Sequence, residues 1–176
     1  MSEDHPIFEE KAWGLNSKQI KLTRLARKLG QEKFSLRAAH YDRTATFPTE
    51  NYKDLFESGL IGVCIPEPSG GHGADFKTYM LTAAEIGRYC GATALTFNMH
   101  VSSCLWSGHL IDTLDIDRAD REKHNVSREI HYKRILNEGA IYAQPFSEGG
   151  SAAAGSSTFQ TIALKVDNGW IVNGKK

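Results

Sequence analysis

The apolar residues of this chain change their period once, near Gly139, and that change limits the folds open to it. Before it, Leu22, Leu25, Ala26 and Leu29 recur at helical spacing, and Phe34 and Ala38 resume the stripe after Gly30. One long amphipathic helix is therefore predicted from Ser17 to about Tyr41, bent near Gly30. After Gly139, AIYAQPF reads as a strand, and FQTIALKV places Gln160, Ile162, Leu164 and Val166 on one face with Phe159, Thr161, Ala163 and Lys165 on the other. Asn168-Gly169 is a strong hairpin signal, with Trp170 to Val172 as the return strand. The fold class read from this pattern is α+β multidomain: an all-α N-terminal domain over 1–138, then the beginning of a small antiparallel β domain over 139–176.

Within the first part the punctuation is explicit. Thr49 is the expected N-cap of a short helix burying Tyr52, Leu55 and Phe56 and closed by Gly59. Leu60 to Ile65 is expected to be extended, because Pro66 and Pro68 forbid a helix running through them. After PEPSGGHGAD, Asp75 should cap a helix whose buried face holds Phe76, Tyr79, Met80, Ala83, Ala84 and Ile86. The helix from Ala92 to about Ile111 is apolar nearly all round, the pattern of a helix surrounded by protein. Residues 112–126 are densely charged and are expected to form a solvated insertion, with a helix resuming near Ile130.

Composition removes several functions. Lys+Arg and Asp+Glu both number 21, so no long-range field gathers nucleic acid or anionic lipid. With 40% hydrophobic and 24% charged residues, the chain can bury a core. Its longest apolar run, Leu60 to Pro66, is far short of the roughly 20 residues a membrane helix needs. Cys64, Cys90 and Cys104 sit among apolar neighbours, which suits free thiols in a reducing compartment, the cytoplasm or an organelle matrix. The acidic start MSEDHPIFEEK does not read as a cleaved leader.

Four constellations invite a chemical reading. Gly70-Gly71-His72-Gly73 before a helix has the makings of an anion cradle, but it lacks a P-loop lysine and the dinucleotide spacing, so a tight structural turn is the expectation. His100, Cys104 and His109 are metal-ligand types, yet at ~100° per residue His109 points roughly opposite His100, so packing is expected and no metal site. Ser151 in GGSAAAG lacks the glycine two residues on that a nucleophile elbow requires. YAQPFSEGGSAAAG, from Tyr142, joins a strand ending in Gln, Ser and Glu to a loop of small residues, which suits either a flat ligand or a plain wide turn.

Three segments in order, IPEPSGGHGADFKTYMLTAAEIGRYCGATALTF, YAQPFSEGG and GWIVNGKK, give the chain a resemblance to the acyl-CoA dehydrogenase family. They are similar to that family's Pro-x-x-x-Gly-Gly-x-Gly loop with its two following helices, its strand ending in Thr/Ser-Glu, and its hairpin ending in Asn-Gly-x-Lys. The resemblance implies an all-α domain followed by a β-barrel-like middle domain, and FAD as cofactor. It implies removal of two hydrogens from an acyl-CoA thioester, electrons passing to an electron-transfer partner or oxygen, and a homo-oligomer. Carried over by position, it implicates Gln144, Phe146 and Ser147 in contacting the flavin, and gives Glu148 a structural role. Phe97 and Met99 become candidate linings of the acyl pocket.

The chain also departs from the family. Where relatives place a serine that meets the CoA portion, Ala153 stands, and Ser151 is the candidate substitute. This departure admits same-fold flavin-dependent monooxygenases as an alternative. The rest of the barrel, the C-terminal helical domain and the usual catalytic glutamate are expected beyond Lys176, so no catalytic residue is assigned, and the chain by itself is expected to be inactive. A non-catalytic helical interaction fragment is the remaining reading.

Overall fold

The computed structural model describes residues 10, 13–148 and 159–176. The chain divides into two compact units, Met1–Ala143 and Gln144–Lys176.

The first unit is helical. Helix α1 (Ser17–Leu29) begins at a capping box in which Asn16 accepts from the Gln19 amide and the Gln19 side chain accepts from the Asn16 amide. A π-helical turn, Gly30–Phe34, joins it to α2 (Ser35–Thr44). The interruption falls at Gly30, where the sequence suggested one, and a β-carbon there would stand 2.1 Å from the Tyr89 ring. Then follow α3 (Thr49–Glu57), 3-10 turns at Leu60–Gly62 and Glu67–Ser69, α4 (Phe76–Gly87), α5 (Gly91–Leu105), a second π-helical turn at Trp106–Leu110, and α6 (Arg118–Glu138). Helix α4 packs between α1 and α5, and α6 lies against the two 3-10 turns. The core is continuous through Leu22, Phe34, Leu55, Ile61, Ile65, Ile86, Phe97, Val101, Tyr132 and Ile135.

Several local expectations need correction. Helix α3 starts at Thr49 itself, behind Pro48, without a side-chain cap. Leu60–Ile65 is a run of tight turns rather than a strand: Val63 N–H donates to the Leu60 carbonyl and Ile65 N–H to that of Gly62. The prolines stop an α-helix there, but a 3-10 turn is short enough to finish before them. On α4, Tyr79 and Ile86 are buried, but Phe76 and Met80 lie on the exposed side. Thr78, Thr82 and Glu85 take the inner positions instead, because Glu85 pairs there with Arg27 and Arg88. The charged stretch before Val126 is helical from Arg118, capped by Asp117, and its charge reflects a solvated face.

The second unit holds one antiparallel hairpin, β1 (Ile162–Val166) paired with β2 (Gly169–Asn173), and no barrel among the described residues. Its register pairs Val166 with Gly169, so Asp167 and Asn168 form the turn, and Gly169 already belongs to the return strand. AIYAQPF, expected as a strand, forms none, having no ladder partner among the described residues. No helix among them is long and apolar enough to cross a membrane.

Candidate functional site

Helix α5 carries His100 and Cys104, two of the three metal-ligand types singled out in the sequence, together with Phe97 and Met99. Its start is fixed from below: Asn51 donates to the Thr93 hydroxyl at 2.8 Å, and that hydroxyl donates to Cys90 Sγ at 3.1 Å. One face, Thr93, Phe97, His100, Val101 and Cys104, is core. The other is not surrounded as its sequence suggested. Leu95 (65% exposed), Met99 (36%) and, in the following turn, Trp106 (53%) form an open apolar stripe. Met99 therefore lies on an accessible face, whereas Phe97 is wholly buried in the core.

His100 is buried and fully engaged. Its Nδ1 accepts from the Tyr142 amide at 3.0 Å, so the proton sits on Nε2, which donates to the Ile61 carbonyl at 3.0 Å. Burial lowers its pKa from the ordinary 6.5. Cys104, one turn on, donates its thiol proton toward the His100 carbonyl, and burial pushes that thiol up to about 12. His109 is exposed, so the three residues do not converge. Among the described residues no cluster of three His, Cys, Asp or Glu is placed to hold a metal ion.

Beside His100 lies a cavity of about 180 Å³ lined by Cys104, Ser107, His131, Tyr132, Ile135 and Tyr142. The Tyr142 hydroxyl is hydrogen-bonded to His131 Nδ1 at 2.6 Å. Sequence reading did not find this group, since Tyr142 is 42 positions from His100 and no spacing rule joins them.

The glycine-rich loop does not cradle an anion, because its amides are spent internally. Gly70, Gly71, His72, Gly73 and Ala74 donate to the carbonyls of Glu67, Pro66, Gly62, Ile65 and Val63 respectively. A Lys18–Glu67 ion pair ties the loop to α1.

In the second unit, Phe146 and Ser147 are exposed and Gln144 is half-buried, in a stretch outside any strand ladder. The Phe146 ring meets Phe159 edge-on at 5.8 Å. Glu148 accepts from the amides of Gln160 at 2.6 Å and Thr161 at 3.0 Å and pairs with Lys176 Nζ at 2.9 Å. Thr161, the Gln160 amide and the Lys176 ammonium hold its carboxyl down to about 2. Lys176 also donates to the Phe146 carbonyl and stands 4.0 Å above the Phe159 ring. Ser151 and Ala153 lie outside the described residues.

A family profile described as the acyl-CoA dehydrogenase N-terminal domain matches residues 16–111, more than half of the sequence. The chain belongs to the acyl-CoA dehydrogenase family. Among its relatives, it is 26% identical over 164 residues to a probable acyl-CoA dehydrogenase, YngJ, of Bacillus subtilis, covering 92% of this chain and 40% of that protein. It is 26% identical over 165 residues to the short-chain specific acyl-CoA dehydrogenase of Clostridium acetobutylicum, covering 93% and 40%. In fold it is similar to butyryl-CoA dehydrogenase from Megasphaera elsdenii, with a TM-score of 0.71 at 24% identity over 91% of this chain and 40% of that one. It is also similar to a chain in a structure of the electron transferring flavoprotein of Acidaminococcus fermentans, with a TM-score of 0.73 at 22% identity over 91% and 39%. The chain thus spans about two fifths of the length of these acyl-CoA dehydrogenase relatives.

Proposed function

We propose that this chain supplies the helical acyl-binding wall and the first flavin-contacting stretch of an FAD-dependent oxidoreductase that removes two hydrogens from an acyl-CoA. The observation that carries the reading is the open stripe of α5, where Leu95, Met99 and Trp106 face outward from a helix whose other side is core. Such a stripe, fixed from behind, offers an acyl chain a preformed apolar surface.

The second unit fits FAD by its donor set. Phe146 and Ser147 lie outside any strand ladder and are exposed, so an aromatic and a hydroxyl side chain stand at the surface beside Gln144 for a flat polar ring to meet. Bound FAD would supply the hydride-accepting chemistry. Glu148 is not proposed as the base: a carboxyl held down to about 2 has little affinity for a proton, and its oxygens are already committed.

The test is a titration of the isotopically labelled protein with FAD, butyryl-CoA and CoA alone, followed by NMR. Butyryl-CoA should shift Leu95, Met99 and Trp106, CoA alone should not, and FAD should shift Gln144, Phe146 and Ser147. Equal shifts from butyryl-CoA and CoA would exclude an acyl wall on α5. Shifts on α5 from a ligand without CoA, such as phenol, with none from butyryl-CoA, would favour the monooxygenase reading. No response to any of them would favour the helical interaction fragment.

A further inference from the structure

The chain leaves α6 at Gly139 and reaches Gln144 only a few residues later, so what holds the backbone between them acts directly on the lead into the proposed flavin-contacting stretch. Tyr142 lies in that interval and is held twice. Its amide donates to His100 Nδ1 at 3.0 Å, and its hydroxyl bonds His131 Nδ1 at 2.6 Å. His100 is itself immobilised, wholly buried, with Nε2 donating to the Ile61 carbonyl at 3.0 Å. One side chain on the core face of α5 therefore joins three segments that are distant in sequence: α5, the 3-10 turn Leu60–Gly62, and the exit from α6.

The geometry points to His100 as a positioning residue, whose Nδ1 acceptor fixes the backbone at Tyr142, the last length of chain before the stretch Gln144, Phe146 and Ser147. The functional part of this inference rests on the reading given under Proposed function. The chemistry is specific to imidazole in one tautomer. An amide partly shielded from water is best served by a fixed acceptor, and a buried ring nitrogen without its own proton is one that does not pivot. A merely space-filling aromatic side chain keeps the core packed but leaves the Tyr142 amide without its partner. The expected penalty for such an orphaned amide is enough to change local opening by about ten-fold.

The test uses the 176-residue chain and three variants, with amide hydrogen exchange read residue by residue. His100→Asn keeps an oxygen near the Nδ1 position, whereas His100→Gln places its polar end near Nε2 and His100→Phe has neither. Tyr142 amide protection should persist in His100→Asn and fall about ten-fold in His100→Gln and His100→Phe, with α1 amides unchanged. Equal protection of Tyr142 in wild type and His100→Phe would overturn the proposal. If His100→Phe does not fold, the Asn and Gln variants decide it, and equal protection in those two would equally overturn it. FAD titration of the same samples separates this inference from the reading beneath it. FAD shifts at Gln144 and Ser147 that survive in His100→Asn and weaken in His100→Gln support both. The expected Tyr142 exchange pattern with no FAD response in wild type supports the His100 link and sinks the flavin reading.

Discussion

A β-carbon on Gly71 would stand 2.2 Å from the carbonyl oxygen of Ile65, and that oxygen already accepts the Gly73 amide at 2.7 Å. The obstacle is backbone held in place by its own hydrogen bond, so it cannot swing aside as a side chain would. Gly71→Ala should destabilise the helical unit by about 1–3 kcal/mol, the range for overpacking a closed site. Urea unfolding followed by circular dichroism measures this, and an unchanged midpoint would contradict the close approach.

Glu85 is wholly buried between Arg27 and Arg88, at 2.8 and 3.3 Å. Removing it leaves the half-buried Arg27 without its counter-charge, so Glu85→Ala should cost about 3–5 kcal/mol. The double variant Glu85→Met with Arg27→Met should cost less, since Arg27 is then not stranded and Arg88, which loses its Glu85 pair, still lies over the Tyr89 ring. Similar losses in both would mean that packing, not the stranded charge, dominates at this position.

Acid should weaken the helical unit in two stages. Burial lowers the pKa of His100 and of His72 below 6.5, with Lys18 and Lys21 adding to the shift at His72. As pH falls below 6.5 the unfolded chain therefore binds these protons before the folded one does. Their contribution is complete above that value and is lost on descending through the lowered pKa values. At Asp54 burial pushes the pKa up, but Lys33 and Arg37 more than offset it; at Asp75 the bond from Thr78 acts first. Both carboxyls end below 3.8, so their contribution disappears only at still lower pH. Thermal unfolding between pH 8 and pH 3 reads both stages, and a stability flat from 7 to 5 would rule out the histidine stage.

Glu148→Gln removes the charge that pairs with Lys176 while leaving an oxygen for only part of the former set of donors. The amides of Gln160 and Thr161 should exchange several-fold faster in this variant, and Lys176→Met should reproduce part of the effect. Unchanged exchange at both amides would mean the carboxylate does not hold the stretch in place.

What the amino-acid pattern disclosed depended on the range of the forces involved. The Asp75 cap and the hairpin were legible because Asp75 and Asn168-Gly169 act within a few residues of themselves; Gly30 was legible as a break in α1, but the Tyr89 ring that closes on it was not. The exposed Phe76 and Met80 were misread because α4 has a second set of inner positions, taken by threonines and by a glutamate that becomes a core residue only through Arg27. Leu60–Ile65 was misread because proline excludes an α-helix but leaves extended chain and 3-10 turns equally open, and the amides of His72 to Ala74 decide between them. At the candidate site, Gln144, Phe146 and Ser147 came from motif likeness, and Met99 from its place on α5. The His100–Tyr142–His131 group was invisible because hydrogen bonds between distant segments leave no period in a sequence.

The amides of Gly70 to Ala74 are all spent on carbonyls between Gly62 and Glu67, so what these glycines serve is a shape. That shape is needed for the helical unit to close, whether or not any chemistry follows, so the glycines mark a scaffold and leave activity to be judged from other residues.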